Sequence, residues 1–242
     1  MNEWMSLTIR AGDKRFGLMP ALDMDDLGKA VAAASAVGSL DGICGFKVGF
    51  SLGLGFGLPE VVRALRSVTS KPIIYDHQKG GTDIPETGAL FAKVMARAGV
   101  DAAILFPQAG PNTMAAWVSA LAAEKVGCIV GGIMTHPGYL RSEGGYLDDE
   151  AVAGIYGQAV KAGVRSFVLP LTRPEVAARV VEESGIEPGW TCFSPGFGAQ
   201  GGDPARFPFV NRHVLIVGRA LLSAADPAEY VNRIAQELAR TP

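Results

Sequence analysis

Short apolar segments alternate with segments of helical spacing along almost the whole chain. The apolar segments, rich in Val, Ile, Leu and Phe, cover 16–23, 42–49, 71–76, 101–107, 126–134, 164–170, 190–194 and 213–218. Their apolar residues are continuous instead of alternating with polar ones, which is typical of parallel strands covered on both faces. The intervening segments that predict helices are 25–38, 58–68, 86–98, 111–124, 148–162 and 173–184.

A last helix is predicted because Tyr230, Ile234 and Leu238 recur at i, i+4 and i+8 behind Asp226-Pro227-Ala228-Glu229, an opening that resembles a capping box with proline at the first helical position. Eight strands with seven or eight helices, at a period of about thirty residues, predict one (β/α)8-barrel domain over residues 1–242. The competing open, doubly wound sheet usually has fewer strands and a glycine-rich turn after the first strand. Here that strand ends in Ala-Leu-Asp-Met-Asp, which favours the barrel.

Composition excludes several classes of protein. The chain is 48% hydrophobic and 19% charged, so it can bury a large core, which excludes a disordered chain. Its net charge of -2 and the lack of a Lys/Arg cluster predict no nucleic-acid partner. No signal-peptide core and no membrane-length apolar run occur, so we expect no membrane association. Cys44, Cys128 and Cys192 are far apart, which predicts buried thiols in a reducing cytoplasm instead of disulfides or a zinc site.

Charged residues stand at the ends of the first three predicted strands. Asp23 ends the first strand, Lys47 lies in the second, and Asp76, Lys79 and Asp83 follow the third. Active sites of barrels are built at the carboxyl ends of the strands, so these groups should converge on one rim. A lysine in an apolar strand is costly to bury unpaired, which predicts a mutually compensating array of charges.

Simpler roles are open for some of these residues. Asp83 precedes a predicted helix start and could serve only as its cap. Lys47 could be a surface lysine beyond a misplaced strand end. His77 and His136 are interpreted as structural or supporting residues, and no HxH or HxxxH spacing predicts a metal site.

A glycine-rich segment and an arginine predict an anion site at the end of the chain. Residues 194–204, Ser-Pro-Gly-Phe-Gly-Ala-Gln-Gly-Gly-Asp-Pro, follow the seventh strand, and Arg219 follows the eighth. Such a loop offers backbone N–H groups to an anion, and arginine can bind phosphate through two parallel hydrogen bonds. The loops after strands seven and eight are the recurrent phosphate site of this fold. We therefore expect a small phosphorylated substrate.

Five motifs together resemble those of the orotidine 5′-phosphate decarboxylase family, in the same order and over nearly the whole chain. They are Ala21-Leu22-Asp23, Lys47-Val48-Gly49, the cluster Asp76/Lys79/Asp83-Ile84-Pro85, the segment from Ser194-Pro195-Gly196 to Gly201-Gly202-Asp203-Pro204, and Val217-Gly218-Arg219. The third motif departs from the family, because Asp-x-Lys-x-x-Asp is replaced by Asp-x-x-Lys-x-x-x-Asp. Residues three apart on a strand face opposite sides, so we hypothesise that a β-bulge returns Lys79 to the side of Asp76.

The resemblance implies decarboxylation of orotidine 5′-phosphate to UMP in pyrimidine biosynthesis, with no cofactor and no metal. Lys79 would stabilise the carbanion-like centre and deliver the proton, and Asp76 would lie near the departing carboxylate. Asp83, with Ile84 and Thr87 beside it, would reach into the neighbouring subunit of a homodimer. Lys47 would complete the Asp-Lys-Asp-Lys chain.

The same resemblance assigns the substrate contacts. Asp23 and Lys47 match positions that contact ribose, and Thr135 matches one that contacts the pyrimidine. Gln200 and Arg219 match phosphate contacts, helped by backbone N–H groups near Gly198 and Gly218, and Pro195 is a further substrate-binding position.

Two alternatives stay open. One is a Mg²⁺-dependent relative on the same barrel, a 3-keto-gulonate-6-phosphate decarboxylase or hexulose-phosphate synthase, against which the Gln200 loop and Asp23 favour a nucleotide. The other is a non-catalytic nucleotide-binding barrel, against which the complete set of Asp and Lys side chains argues.

Overall fold

Eight parallel strands close into a barrel in chain order in the computed structural model, which describes residues 16–77, 83–198 and 200–239. Each strand pairs with the next, and the last pairs with the first through the register Phe16↔His213 to Pro20↔Val217. The strands are β1 (Phe16–Leu22), β2 (Phe46–Val48), β3 (Ile73–Asp76), β4 (Ala102–Leu105), β5 (Gly127–Gly131), β6 (Ser166–Val168), β7 (Thr191–Pro195) and β8 (Arg212–Val217). The predicted (β/α)8 barrel is confirmed.

Helices connect the strands and surround the barrel. They are α1 (Leu27–Val37), α2 (Phe50–Leu52), α3 (Leu58–Arg66), α4 (Gly88–Ala98), α5 (Pro111–Ala123), α6 (Asp149–Lys161), α7 (Pro174–Ser184), α8 (Arg219–Leu222) and α9 (Pro227–Leu238). The predicted start of α9 is confirmed, because the Asp226 carboxylate accepts hydrogen bonds from the N–H groups of Ala228 and Glu229 and Pro227 is the first helical residue.

The alternation of side chains along the strands divides the core into two parts. Inward-facing residues fill the barrel and form one buried cluster, to which Met19, Ile74, Ile104, Val168 and Phe193 belong. Their neighbours on the same strands face outward and pack against the helices in a second, larger cluster. Parallel strands covered on both faces explain why the apolar segments of the sequence are continuous.

The strands are shorter than the apolar segments that predicted them. Ile43 and Phe106 are 0% and 2% exposed, although they lie outside β2 and β4. Apolar character reports burial, which continues beyond the residues that pair in the sheet.

The sequence did not predict the helical segment that follows β2. Residues Phe50–Leu52 and a π-helical turn at Gly53–Gly57 lead directly into α3. Three glycines in five residues lower the helix propensity of this turn, so the pattern gave no signal. The fold uses at least one of them, because a Cβ on Gly53 would lie 3.1 Å from the ring of Tyr75.

Within the described residues, the search for a membrane-spanning helix found none of sufficient length and apolar character.

Truncation of the barrel interior should be costly. Phe193, 1% exposed, belongs to the inner cluster, so Phe193→Ala leaves a cavity that the surrounding strands cannot refill. We expect the free energy of unfolding, measured by equilibrium denaturation, to fall by about 3–5 kcal/mol. The fully exposed Tyr146 is the control, and Tyr146→Ala should change stability by less than about 0.5 kcal/mol. Equal effects of the two substitutions would contradict the assignment of Phe193 to the core.

Candidate active site

A cavity of about 280 Å³ opens at the carboxyl ends of the strands. Its walls are formed by residues at or just after the carboxyl ends of the strands, among them Ala21 on β1 and Arg219 after β8. Below it, the inner cluster closes the barrel. The predicted location of the site, at the rim where the strands end, coincides with this cavity.

Three predicted charged residues meet at the cavity floor. The Nζ of Lys47 lies 2.8 Å from Oδ2 of Asp76 and 3.3 Å from Oδ2 of Asp23. Their side chains point inward because side chains alternate along a strand. Asp76 is two residues beyond the inward-facing Ile74, and Lys47 stands between the outward-facing Phe46 and Val48. The register Ala21↔Lys47 and Lys47↔Ile74 brings β1, β2 and β3 level at this point.

Lys47 is buried as part of this array and is not a surface residue. It is 8% exposed and Asp76 is 9% exposed, whereas the Asp23 side chain is about half exposed. Burial alone would lower the pKa of Lys47, but the charges of Asp76 and Asp23 more than offset it, and the pKa is raised above its usual value of 10.5. The lysine is therefore a fixed cation, and it compensates the negative charge of Asp76 in a place with little water.

A glycine makes room for the exposed member of the array. A Cβ on Gly49 would lie 2.5 Å from Oδ1 of Asp23, a distance that real Cβ atoms do not show. The motif Lys47-Val48-Gly49 thus supplies both the cation and the space for its second carboxylate.

The glycine-rich segment after β7 folds back on itself beside Arg219. The N–H of Gly202 donates to the carbonyl of Gly196, and Gly196, Gly198 and Gly201 have φ values of 98°, 73° and 74°, where L side chains are strained. A Cβ on Gly202 would also lie 2.5 Å from Cβ of Leu171. The loop therefore depends on these glycines.

Predicted substrate-binding residues line one cavity. They are Asp23, Thr135, Pro195, Gln200, Gly218 and Arg219. Arg219 is exposed and forms no ion pair within the part of the chain that the structure describes, so its guanidinium is available to an anion. Apolar side chains, among them Ile104, Phe106 and Val168, line the same cavity. The cavity thus combines a buried charged array, an apolar surface and an arginine without an ion-pair partner in the described residues.

Other predicted residues do not line the cavity. Gly198 lies next to it in the glycine-rich loop. Asp83, Ile84 and Thr87 lie outside, on the surface after β3. The carboxylate of Asp83 accepts the N–H of Ile84 at 2.7 Å, but Ile84 is the N-cap of the 3-10 turn Pro85–Thr87 and no side chain caps this turn. Asp83 is therefore not the helix cap that the simpler alternative described.

This surface segment is held in place from two sides. The carbonyl of Ile84 accepts hydrogen bonds from the indole N–H of Trp117 at 3.1 Å and from the hydroxyl of Thr87 at 2.8 Å. The Trp117 ring packs so closely that a Cβ on Gly88 would lie 2.6 Å from it. Asp83 therefore directly precedes a rigid support that does not line the cavity of its own chain.

Lys79 lies outside the described residues, as do Gln78 and Gly80–Thr82. The predicted β-bulge would fall on the same residues. His77, the last described residue before this gap, does not face the cavity. Its ring packs on Phe91 and Trp117, with centroids 4.5 Å and 6.1 Å away. His136 contacts Tyr139 edge-on and does not line the cavity either.

Sequence reasoning missed one polar residue of the cavity. Tyr230 lines it, whereas its spacing with Ile234 and Leu238 had served only to predict the last helix. Ile234 and Leu238 are buried, at 5% and 6% exposure, whereas Tyr230 is half-buried at the cavity end of the same stripe. Periodicity identifies the buried face of a helix but not where that face ends.

The cysteines stand apart from this site. All three thiols are free, with Cys44 and Cys192 buried and Cys128 half-buried. Burial raises the pKa of each to about 12, so none has the thiolate character of a reactive cysteine. Among the described residues, no group of three or more His, Cys, Asp and Glu side chains is arranged to hold a metal ion.

Fold and cavity together define a class of protein, a (β/α)8-barrel enzyme with a buried carboxylate–ammonium array beside a cationic end. Residues 17–234 match the model of the orotidine 5′-phosphate decarboxylase / HUMPS family. The chain belongs to this family.

Relatives extend the match over nearly the full length of both partners. The orotidine 5′-phosphate decarboxylase of Methanosarcina barkeri is 32% identical over 93% of this chain and 96% of its own. That of Pyrococcus furiosus is 32% identical over 90% and 95%. Among solved structures, the enzyme of Methanocaldococcus jannaschii complexed with the inhibitor BMP superposes with a TM-score of 0.79 at 26% identity, over 93% of this chain and 99% of that one.

Removal of the buried cation should destabilise the protein in a pH-dependent way. Lys47→Met leaves Asp76 buried without its partner, so we expect the free energy of unfolding at pH 7 to fall by about 3–5 kcal/mol. The pKa of Lys47 is higher in the folded than in the unfolded chain, so its charge stabilises the fold below pH 10.5 and this contribution declines as the pH rises further. The gap between parent and variant should therefore stay constant from neutral pH up to about pH 10 and narrow above it.

Lys29→Met is the matched control, because Lys29 forms an exposed ion pair of 3.8 Å with Asp26. It should cost less than about 1 kcal/mol. A Lys47→Met protein as stable as this control would contradict the buried array.

Proposed function

We propose that this chain is an orotidine 5′-phosphate decarboxylase, which converts orotidine 5′-phosphate to UMP and carbon dioxide without a metal or a cofactor. The observation that carries the proposal is the Asp23–Lys47–Asp76 array at the floor of a cavity that Arg219 also lines. In a chain of this family, these are the charges that the reaction and the substrate phosphate require. We further propose that residues 1–242 act as one barrel domain.

The reaction requires groups at fixed positions that stabilise the negative charge developing on the pyrimidine ring. The bond between the ring carbon and the carboxylate breaks, its electron pair stays on the ring carbon, and carbon dioxide leaves. In the proposed mechanism the Lys79 ammonium stabilises this pair and then transfers its proton to the carbon. Groups fixed before the reaction do this without the cost of reorganising solvent, which is how enzymes stabilise developing charge most effectively.

Asp76 is proposed to lie beside the substrate carboxylate. Two like charges about 4 Å apart at an effective dielectric constant of 20 repel by about 4 kcal/mol, and this repulsion is relieved when carbon dioxide departs. Lys47, 2.8 Å from Asp76, holds this carboxylate in place and offsets the cost of burying it. Repulsion of this size is too small to carry the rate alone, so the Lys79 cation and substrate positioning contribute more.

The substrate would span the cavity from floor to rim. Asp23 and Lys47 are proposed to bind the ribose hydroxyls, Thr135 and Pro195 the pyrimidine, and Gln200 and Arg219 the phosphate, with backbone N–H groups near Gly198 and Gly218. The apolar wall of the cavity suits the flat pyrimidine between two polar ends. Binding energy from the phosphate, far from the reacting carbon, can then be used to orient the ring.

We propose that the active form is a homodimer in which Asp83, with Ile84 and Thr87, completes the site of the partner subunit. An exposed apolar surface supports this. Of the seven large hydrophobic side chains exposed in the described ranges, six lie between residues 50 and 94: Phe50, Leu54, Phe56, Ile84, Leu90 and Val94. Their concentration in this part of the fold supports an interface there, because large exposed apolar patches mark interaction sites. The rigid support of Asp83 also suits a residue presented to another chain.

A reducing cytoplasm is the proposed location. The free, buried or half-buried thiols support it, since such cysteines persist where disulfides are kept reduced.

Turnover by the purified protein tests the activity. We expect loss of the pyrimidine absorbance of orotidine 5′-phosphate on adding protein, unchanged by excess EDTA. Lys79→Ala should reduce kcat by at least about 10³-fold and leave UMP binding intact, because the proton donor is lost and the phosphate and ribose contacts are not. Activity that requires added Mg²⁺ and a sugar phosphate would instead identify the metal-dependent branch of the family.

Subunit mixing tests the shared site. Lys79→Ala and Asp83→Ala proteins should each be inactive as homodimers. In a mixed dimer, one site has its own intact Lys79 and receives Asp83 from the Lys79→Ala subunit, so random exchange should restore about a quarter of parental activity. If Asp83 served its own subunit, every mixed site would lack one of the two groups, and no activity would return.

A control mixture of the Lys79→Ala protein with itself, taken through the same exchange, should stay inactive.

A further inference from the structure

Tyr230 stands at the end of the cavity where the proposed function locates the phosphate. It lies in the first turn of α9, which begins at Pro227 after the Asp226 cap. The residues below it on the same face, Ile234 and Leu238, are buried and anchor the helix to the barrel. The Tyr230 side chain reaches beyond this anchored part and lines the cavity together with Gly218 and Arg219.

The hydroxyl of Tyr230 is directed at the glycine-rich loop. A Cβ on Gly198 would lie 3.7 Å from this oxygen. The hydroxyl therefore lies next to the loop at a glycine, where no side chain covers it. Within the described ranges it forms no hydrogen bond, although the ring is half-buried. Tyrosines in such positions normally use the hydroxyl on a partner, and here the open space belongs to the cavity.

The electrostatic surroundings favour an anion as that partner. Arg219, on the short helix α8 that contacts α9, lines the same cavity. The guanidinium of Arg233 lies 5.3 Å from the centroid of the Tyr230 ring but pairs with Glu237 at 2.9 Å, so Arg219 is the cation that favours an anion here. The carboxylates that line the cavity, Asp23 and Asp76, are both engaged by Lys47 at its floor. Burial raises the pKa of Tyr230, and Glu237 adds to this while Arg233 opposes it. The hydroxyl therefore keeps its proton at neutral pH and can act as a donor.

We propose that Tyr230 is a further binding residue for the substrate phosphate and donates its hydroxyl hydrogen to a phosphate oxygen opposite Arg219. The proposal rests on the proposed function, because it takes the phosphate of orotidine 5′-phosphate as the anion. It assigns the last helix of the barrel a part in substrate recognition beyond the loops after β7 and β8.

Tyr230→Phe removes the hydroxyl and keeps the ring that packs against the helix and Arg233. A hydrogen bond to a charged group contributes enough that its loss weakens binding roughly ten- to hundredfold. By titration calorimetry, we expect the Kd of UMP to rise by about that factor, whereas the Kd of uridine, which has no phosphate, stays at the parental value. The kcat/KM for orotidine 5′-phosphate should fall by a similar factor.

Tyr146→Phe is the matched control, because this tyrosine is fully exposed on the loop between β5 and α6. It should bind both ligands as the parent does. Arg219→Ala provides the reference for loss of a phosphate contact and should also weaken UMP selectively.

Two results would overturn the proposal. Unchanged UMP binding by Tyr230→Phe would mean that the hydroxyl does not reach the phosphate. Equal weakening of UMP and uridine would mean that it shapes the pocket instead of binding the anion.

Failure of the proposed function has a different signature. A parent protein that prefers UMP over uridine, loses this preference in Tyr230→Phe, yet leaves orotidine 5′-phosphate intact would refute the decarboxylase and retain the phosphate role. A parent that shows no preference for UMP over uridine would overturn both.

Discussion

The burial of one ammonium group between two carboxylates is the constraint on which the mouth of this barrel depends. Lys47 can occupy the barrel interior only because Asp76 lies 2.8 Å away and Asp23 3.3 Å away. Removal of Lys47 leaves the carboxylate of Asp76 without its partner in surroundings with little water, at a cost of several kcal/mol. The three residues therefore form one unit. It requires that β1, β2 and β3 stay in register, and Gly49 is needed so that the outer carboxylate fits.

The barrel supplies this register because it is rigid below the site. The inner cluster fills the barrel with side chains that are almost fully buried, and the outer cluster fastens the strands to their helices. A charge array tolerates errors of only a few tenths of an ångström before a strong ion pair becomes a weak one. Charged residues at the ends of such strands thus have the positional accuracy that loops lack. The glycine-rich loop has a different task, since it has to surround an anion with backbone groups, and its positive φ values suit that task.

Much of this could be predicted from the sequence, for physical reasons that also explain the failures. Continuous apolar segments predicted the eight strands because both faces of a barrel strand are buried. Lys47 could be assigned to the site because a lysine between Phe46 and Val48 has to be paired. The turn at 53–57 could not be predicted, since its glycines disfavour helix and it has no buried residue whose apolar pattern could signal it. Tyr230 was missed because its spacing matches the buried stripe of α9, and only the tertiary structure shows that the stripe runs out at the cavity. Asp83 is a third kind of case. In a single chain its carboxylate forms only a local hydrogen bond with Ile84, and the role proposed for it in the active site requires a second chain.

The filled interior of the barrel determines how substrate and products can enter and leave the cavity. Because Met19, Ile74 and Phe193 fill the tube beneath the charged floor, the described residues leave the cavity open on the side where the strands end. In the proposed binding mode, with the phosphate toward this opening, carbon dioxide formed at the floor leaves past the nucleotide, and the next substrate enters only after UMP has left. Release of product can then limit the rate of the whole cycle, however fast the chemical step is.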